Sequence, residues 1–190
     1  MKKVFKIFAS LLIALLMLLT AVGCELDEGE GDVTKGTAPT GESGSTATAD
    51  NKETTATVGE FLSNDKWKIT FQSAKQFDKI QGDSEFLVDE PAEGKVFLLL
   101  FFEVENISSA DDYFNYLYFK NYIDGYSTDL KILLNDVDDC SVLAGDVAAG
   151  KKLKGYLSFE VSPDWKELET SYQEFTGSAL KFKVTPDKLT

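Results

Sequence analysis

The stretch Lys95–Asn106, KVFLLLFFEVEN, constrains the fold more than any other part of the chain. It is a long apolar run that closes on alternating acids, the signature of an extended strand rather than a loop. In a strand, Val96, Leu98, Leu100, Phe102 and Val104 share one face. Phe97, Leu99 and Phe101 share the other face, which turns acidic at Glu103 and Glu105. A strand that is apolar on both faces must be covered on both sides, so this one sits at the centre of a sheet.

Its neighbours read as strands with one wet face. Trp67, Ile69 and Phe71 alternate with Lys66, Lys68, Thr70 and Gln72. Leu153, Gly155, Leu157, Phe159 and Val161 alternate with Lys152, Lys154, Tyr156, Ser158 and Glu160, and Leu180, Phe182 and Val184 alternate with Lys181 and Lys183. Period-two alternation puts the first set of each in a core and the second in water. Trp67, Phe102, Leu157 and Phe159 are therefore expected on inner faces. Turn signals punctuate these runs at Gln81-Gly82-Asp83, Pro91-Ala92-Glu93-Gly94, Ala148-Ala149-Gly150 and Ser162-Pro163-Asp164. Asp124-Gly125 predicts a hairpin turn ahead of a strand over 127–134. Pro163 predicts a short helical turn within Asp164–Tyr172. Many short strands with turns between them indicate an all-β, immunoglobulin-like antiparallel β-sandwich over residues 56–190.

Ahead of this domain the composition changes twice. Lys2, Lys3 and Lys6 precede an uncharged, mostly apolar run, Ile7–Val22. That run is shorter than the roughly 20 residues of a membrane span and suits a signal peptide, residues 1–23. It ends in Ala21-Val22-Gly23-Cys24, which resembles the lipobox of bacterial lipoproteins, with Ala21 where Leu is usual. The resemblance implies a diacylglyceryl group on the Cys24 sulfur and cleavage that leaves Cys24 as the new N-terminus. An ordinary signal peptide or an uncleaved anchor, either with an incidental Cys, is the alternative. Residues 24–55 combine the lipidated Cys with an acidic linker rich in Gly, Ser and Thr. That composition cannot offset the entropy of ordering, so the linker is expected to be disordered. Its r.m.s. span as a flexible chain is about 30 Å. A glycosylated stalk is the other reading of its Ser and Thr content.

The order of motifs in the domain is similar to the DUF4352 family, an immunoglobulin-like sandwich common in lipoproteins of Gram-positive bacteria. The matching pieces are Val58-Gly59 before Trp67-Lys68-Ile69-Thr70, the strand Lys95–Asn106, Asp124-Gly125, and Gly150–Val161 with Gly155 inside it. Ala149 stands where the family usually has Pro. The resemblance implies a domain on the extracytoplasmic face of a cell membrane, held there by the lipid at Cys24. Its motifs are structural and transfer no mechanism.

Composition narrows the chemistry further. The chain has no His, its 19 basic residues are all Lys, and its formal charge is −13. Ser-His-Asp, Cys-His and His-ligated zinc sites are excluded, as is bidentate Arg recognition of anions. So acidic a chain presents no basic footprint for nucleic acid. No cofactor motif is present. Asp136, Asp138 and Asp139 form the densest acidic group and are weak candidates for calcium, but Cys140 interrupts the ligand spacing and Val147 stands at its last position. Cys140 lies among acids that oppose a thiolate. Carboxylate pairs of a hydrolase are the least supported alternative. Tyr113, Phe114, Tyr116, Tyr118, Phe119, Tyr122 and Tyr126 crowd one short stretch. With strand spacing, Tyr116, Tyr118 and Tyr122 share one outer face, with Tyr126 at the turn. They are the candidate binding surface for a protein or cell-wall glycan, cross-strand packing being the alternative. The sequence thus points to a membrane-anchored, non-catalytic binding domain, with a calcium-dependent sensor or adhesion module as the second possibility.

Overall fold

The computed structural model describes residues 33–38, 54–82, 86–175 and 177–190. The signal peptide, Cys24 and most of the linker lie outside the described residues. In chain order the strands are β1 (Thr34–Thr37), β2 (Thr55–Ala56), β3 (Glu60–Ser63), β4 (Trp67–Phe77), β5 (Ile80–Gln81), β6 (Val88–Asp89), β7 (Val96–Asn106), β8 (Asp112–Phe114), β9 (Phe119–Ile123), β10 (Tyr126–Thr128), β11 (Gly145–Val147), β12 (Lys152–Val161), β13 (Leu168–Tyr172) and β14 (Leu180–Val184). One five-stranded sheet has the order β1-β3-β4-β7-β12 and the other β10-β9-β13-β14-β2. Their pairings are antiparallel except β2 with β14. The protein is a β-sandwich of the immunoglobulin-like kind.

β7 is an interior strand, as its two apolar faces demanded, though one place from the edge strand β12 and not at the middle of the sheet. It pairs with β4 on one side and β12 on the other, so that Phe102 lies opposite both Phe71 and Gly155. Its inner face meets the second sheet. Phe71 stacks on Phe102 at 4.8 Å, and Phe182 from β14 meets Phe102 edge-on at 5.3 Å. Trp67, Phe102, Leu157 and Phe159 are all buried, as the alternation predicted.

The outer face of β7 has its own cover. Phe97, Leu99 and Phe101 pack with Ile80, Val137 and Tyr156 in a second apolar cluster. Residues 129–143 cross this face after β10. They also occupy the free edge of β12: the Lys131 N–H donates to Ser158 at 2.8 Å, Leu143 to Tyr156 at 3.0 Å, and Tyr156 back to Ser141 at 3.0 Å. An unpaired edge invites pairing with other chains, and here the chain's own loop blunts it. Gly155 permits this approach, because a Cβ there would lie 2.7 Å from the Leu143 Cα. Tyr156 and Ser158, expected in water, are buried for this reason. The Tyr156 hydroxyl donates to the Asn135 carbonyl at 3.0 Å, and burial pushes its pKa up to about 12.

Other expectations need correction. Asp124 and Gly125 do form the hairpin turn, with φ of 51° and 82°, as a type I′ turn requires. The strand after it stops at Thr128, because the chain leaves the sheet to cover β7. Asp164–Tyr172 forms no helical turn. Leu168–Tyr172 is β13, in the middle of the second sheet, where Leu168, Thr170 and Tyr172 are buried at period two. Tertiary pairing on both sides outweighs the Pro163 signal.

The linker expectation also fails at one place. Thr34–Thr37 is an edge strand, not disordered chain, and pairs with Ser63–Glu60 of β3. Val33 packs against the main core. The Lys35 ammonium donates to the Thr55 carbonyl of the other sheet at 2.7 Å and meets Glu60 at 2.7 Å. Gly36 leaves room for the Phe61 ring, which approaches to 2.4 Å of where a Cβ would be. Short ladders of this kind gain stability from the edge they complete, which composition alone does not reveal.

Candidate functional site

The register gives the sandwich two poles. One holds the start of β1, the Asn64–Lys66 turn between β3 and β4, the end of β7, the start of β9 and the end of β13. The other holds the Asp124-Gly125 hairpin and Trp165, whose indole donates to Gln76 at 3.2 Å.

The predicted tyrosine row is divided between these poles. Tyr116 and Tyr118 belong to a 3₁₀ turn, not a strand: the Asn115 side chain accepts from the Leu117 N–H at 2.9 Å, and the Phe119 N–H bonds the Tyr116 carbonyl. This cap delays strand pairing until Phe119. Both rings are half-buried against the main core. Tyr122 and Tyr126 are exposed, 40 % and 77 %, near the opposite pole. The structure therefore does not assemble the four tyrosines into one face.

The acidic candidates also have structural roles. Asp138 and Asp139 are the central residues of a tight turn, both with positive φ, closed by reciprocal backbone bonds between Val137 and Cys140. Asp138 pairs with Lys75 at 2.7 Å, and Asp136 is exposed. Among the described residues no group of three or more acids, His or Cys is placed to hold a metal ion. Cys140 is half-buried; burial pushes its thiol pKa up, Lys154 pulls it down, and the charges of Asp138, Asp139 and Asp136 add to the rise. A thiol, not a thiolate, is the form this setting favours.

Three groupings were not visible in the sequence. The first is a polar network at the pole of the Asn64–Lys66 turn. The Glu174 carboxylate accepts from Lys66 at 2.9 Å, from the Trp67 indole at 2.9 Å and from the Tyr172 hydroxyl at 2.7 Å. Lys66 also pairs with Asp112. Burial pushes the Glu174 carboxyl up, but its three donors outweigh burial and hold it below the usual carboxylate range. Tyr172 is pushed well up by burial and by Glu174. Because the Glu174 pKa is lowered on folding, its stabilisation is complete above the unfolded value, about 4.3, and disappears as pH falls through the folded value. The melting temperature of Glu174→Gln should lie below wild type at pH 7, with the gap closing as pH is lowered toward 3. A gap independent of pH would assign the loss to packing alone.

The second grouping centres on Asp89, which is buried. It accepts from the Leu134 and Asn135 backbone N–H groups at 3.0 Å each and from the Asn135 side chain at 2.8 Å. The Asn135 side chain also donates to the Leu87 carbonyl at 3.3 Å. These bonds tie the backbone at Leu87 to that at Leu134 and Asn135; Leu134 is 79 % exposed, and Leu87, Ile132 and Phe86, close to them in sequence, are exposed too. The third is a rim of exposed apolar residues around Lys66: Ile107, Tyr113, Leu117 and Phe175, the last 92 % exposed and edge-on to Tyr118 at 5.5 Å. Each grouping joins residues far apart in sequence, and only the sheet register brings them together.

Among the described residues no helix is long and apolar enough to cross a membrane. No protein of curated function matches the chain. Among solved structures it is similar to a candidate lipoprotein, YcdA of Bacillus subtilis, at 14 % identity and a TM-score of 0.52, over 67 % of this chain and 38 % of that one. It is also similar to YjhA of Bacillus subtilis, at 15 % identity and a TM-score of 0.49, over 67 % of this chain and 98 % of that one. A third similar structure is an uncharacterised β-sandwich protein of Clostridium difficile, at 15 % identity and a TM-score of 0.40, over 72 % of this chain and 98 % of that one. At such identities the likeness speaks to fold alone. The family model of a domain of unknown function, DUF4352, matches residues 56–181, almost the whole sandwich. The chain belongs to the DUF4352 family.

Proposed function

We propose that the protein is a lipoprotein, anchored through Cys24 to the extracytoplasmic face of a cell membrane, whose sandwich is a non-catalytic binding domain. The leader and its terminal Cys support the anchor, and so does the similarity to a candidate lipoprotein. The observation that carries the binding role is the exposed apolar surface of Phe86, Leu87, Ile132 and Leu134, held in place by a buried carboxylate. Exposed apolar side chains that are gathered and rigidly supported mark interaction sites more often than scattered ones do. Three of its four side chains, Leu87, Ile132 and Leu134, offer no ring for a sugar to stack on, and Phe86 alone makes no stacking row, so this surface fits a protein partner better than a glycan. The supporting acid is saturated with backbone and amide donors, which suits it to positioning a loop rather than to proton transfer.

The test compares two pairs of substitutions in the full chain. Ile132→Asp with Leu134→Asp should reduce retention of envelope proteins at least tenfold, since apolar anchors at true interfaces commonly contribute about 2 kcal/mol. The melting temperature should barely change, because both residues are exposed. Tyr122→Ala with Tyr126→Ala should leave retention intact. The reverse pattern would move the site to the hairpin tyrosines.

A further inference from the structure

The domain's orientation at the membrane follows from where the chain enters it. The linker predicted to run free to residue 55 is captured at β1. Thr34 lies opposite Ser63, beside the Asn64–Lys66 turn. Cys24 precedes Val33, the first core contact among the described residues, by nine residues. At full extension these reach only about 30 Å, against about 100 Å had the domain begun at Thr54. So short a lead holds the Lys66 pole, where it enters, within about 30 Å of the bilayer, nearer than the opposite pole needs to be.

At that pole exposed apolar side chains stand around a paired cation. Its central cation, Lys66, is neutralised by Asp112 and Glu174. Around this pairing stand the exposed residues. Ile107 donates its backbone N–H to the Lys66 carbonyl at 2.9 Å. Tyr113 follows Asp112, and Phe175 follows Glu174. Leu117, 70 % exposed, adjoins Tyr118, on whose ring Phe175 leans. Aromatic and aliphatic side chains at a loop tip partition into the headgroup and upper acyl region, and rings with polar margins favour that depth. Exposed Asp65 and Asp111 at this pole give no attraction to anionic lipid, so the contact is apolar rather than electrostatic.

We propose that the Lys66 pole is a membrane-contact surface, with Phe175 and Leu117 entering the outer leaflet while the Leu134 surface and the Asp124-Gly125 hairpin stay clear of it. This rests on the reading that Cys24 carries the lipid. It also assigns the two apolar surfaces different occupants, bilayer for one and protein for the other.

Native full-length protein, extracted from membranes and reconstituted into phosphatidylcholine vesicles, provides the test. Phe175→Trp and Tyr126→Trp place a reporter at each pole; both sites are exposed, and the emission of the wild-type protein, from the buried Trp67 and Trp165, is measured under the same conditions and subtracted. Vesicle flotation is read first, then emission with acyl-brominated against ordinary lipid. Co-flotation, loss of emission from Phe175→Trp and none from Tyr126→Trp support the proposal. Co-flotation without quenching at either position overturns it and leaves the anchor intact. A blue shift of the Phe175→Trp emission without quenching places a second protein there and also overturns it. Equal quenching at both poles excludes an oriented domain. Failure to co-float removes the anchor and the proposal together.

Discussion

Phe102→Ala lowers the unfolding free energy by about 3–5 kcal/mol, the usual cost of removing a buried Phe from a core that cannot collapse around the void. Phe102 is the position where this cost should be largest. It sits on an interior strand with ring neighbours from both sheets: Phe71 at 4.8 Å, Phe182 at 5.3 Å and Phe119 at 6.0 Å. Both flanking strands are fixed along the whole of β7, so the backbone has little freedom to close the cavity. Chemical denaturation of the wild type and variant measures the loss. A change within the range of exposed substitutions, about 0.5 kcal/mol, would mean that β7 faces the other way, because a one-residue slip exchanges its two faces.

Asp89→Ala should be the second large effect, about 2–3 kcal/mol, by a different mechanism. It creates little cavity but strands the donors of Leu134, Asn135 and the Asn135 side chain. Each buried donor without an acceptor costs about 1–3 kcal/mol, and the sum is reduced when the loop swings into water to satisfy them. That relaxation has its own signature. Amide exchange at Leu134 and Asn135 should accelerate far more than exchange at Leu98 or Leu100 in the core strand. Retention of a partner by the Leu134 surface should fall with it. Asp136→Ala, at an exposed neighbouring acid, should change neither stability nor exchange. Global acceleration in Asp89→Ala would show instead that the loop cover and the sandwich unfold as one unit.

These two positions mark what was legible beforehand. Phe102 could be placed from the sequence because the opposite face of its strand turns acidic at Glu103 and Glu105, leaving the Phe102 face apolar throughout. Period-two alternation located Trp67, Leu157 and Phe159. It misplaced Tyr156 and Ser158, since period two reports which face a residue takes and not what the rest of the chain lays over that face. The cover comes from residues 129–143, which carry no periodicity and are held by Asp89, a contact spanning more than forty positions. β1 escaped notice for a related reason. Thr, Lys and Gly in a polar stretch give no apolar pattern, and their pairing depends on the free edge of β3. The tyrosine surface failed on local chemistry: Asn115 caps a turn that rotates Tyr116 and Tyr118 away from Tyr122. The proposed anchoring, by contrast, rests on contiguous residues, so that it needed no fold to be put forward.

The proposed anchor also carries the functional reading, since both the proposed location and the proposed orientation of the domain depend on it. Its most direct test is the mass of the N-terminal peptide of the protein isolated from native membranes. The account predicts a peptide beginning at Cys24, heavier than its sequence by a diacylglyceryl group on sulfur. A peptide that begins elsewhere, or begins at Cys24 with a free thiol, would contradict it.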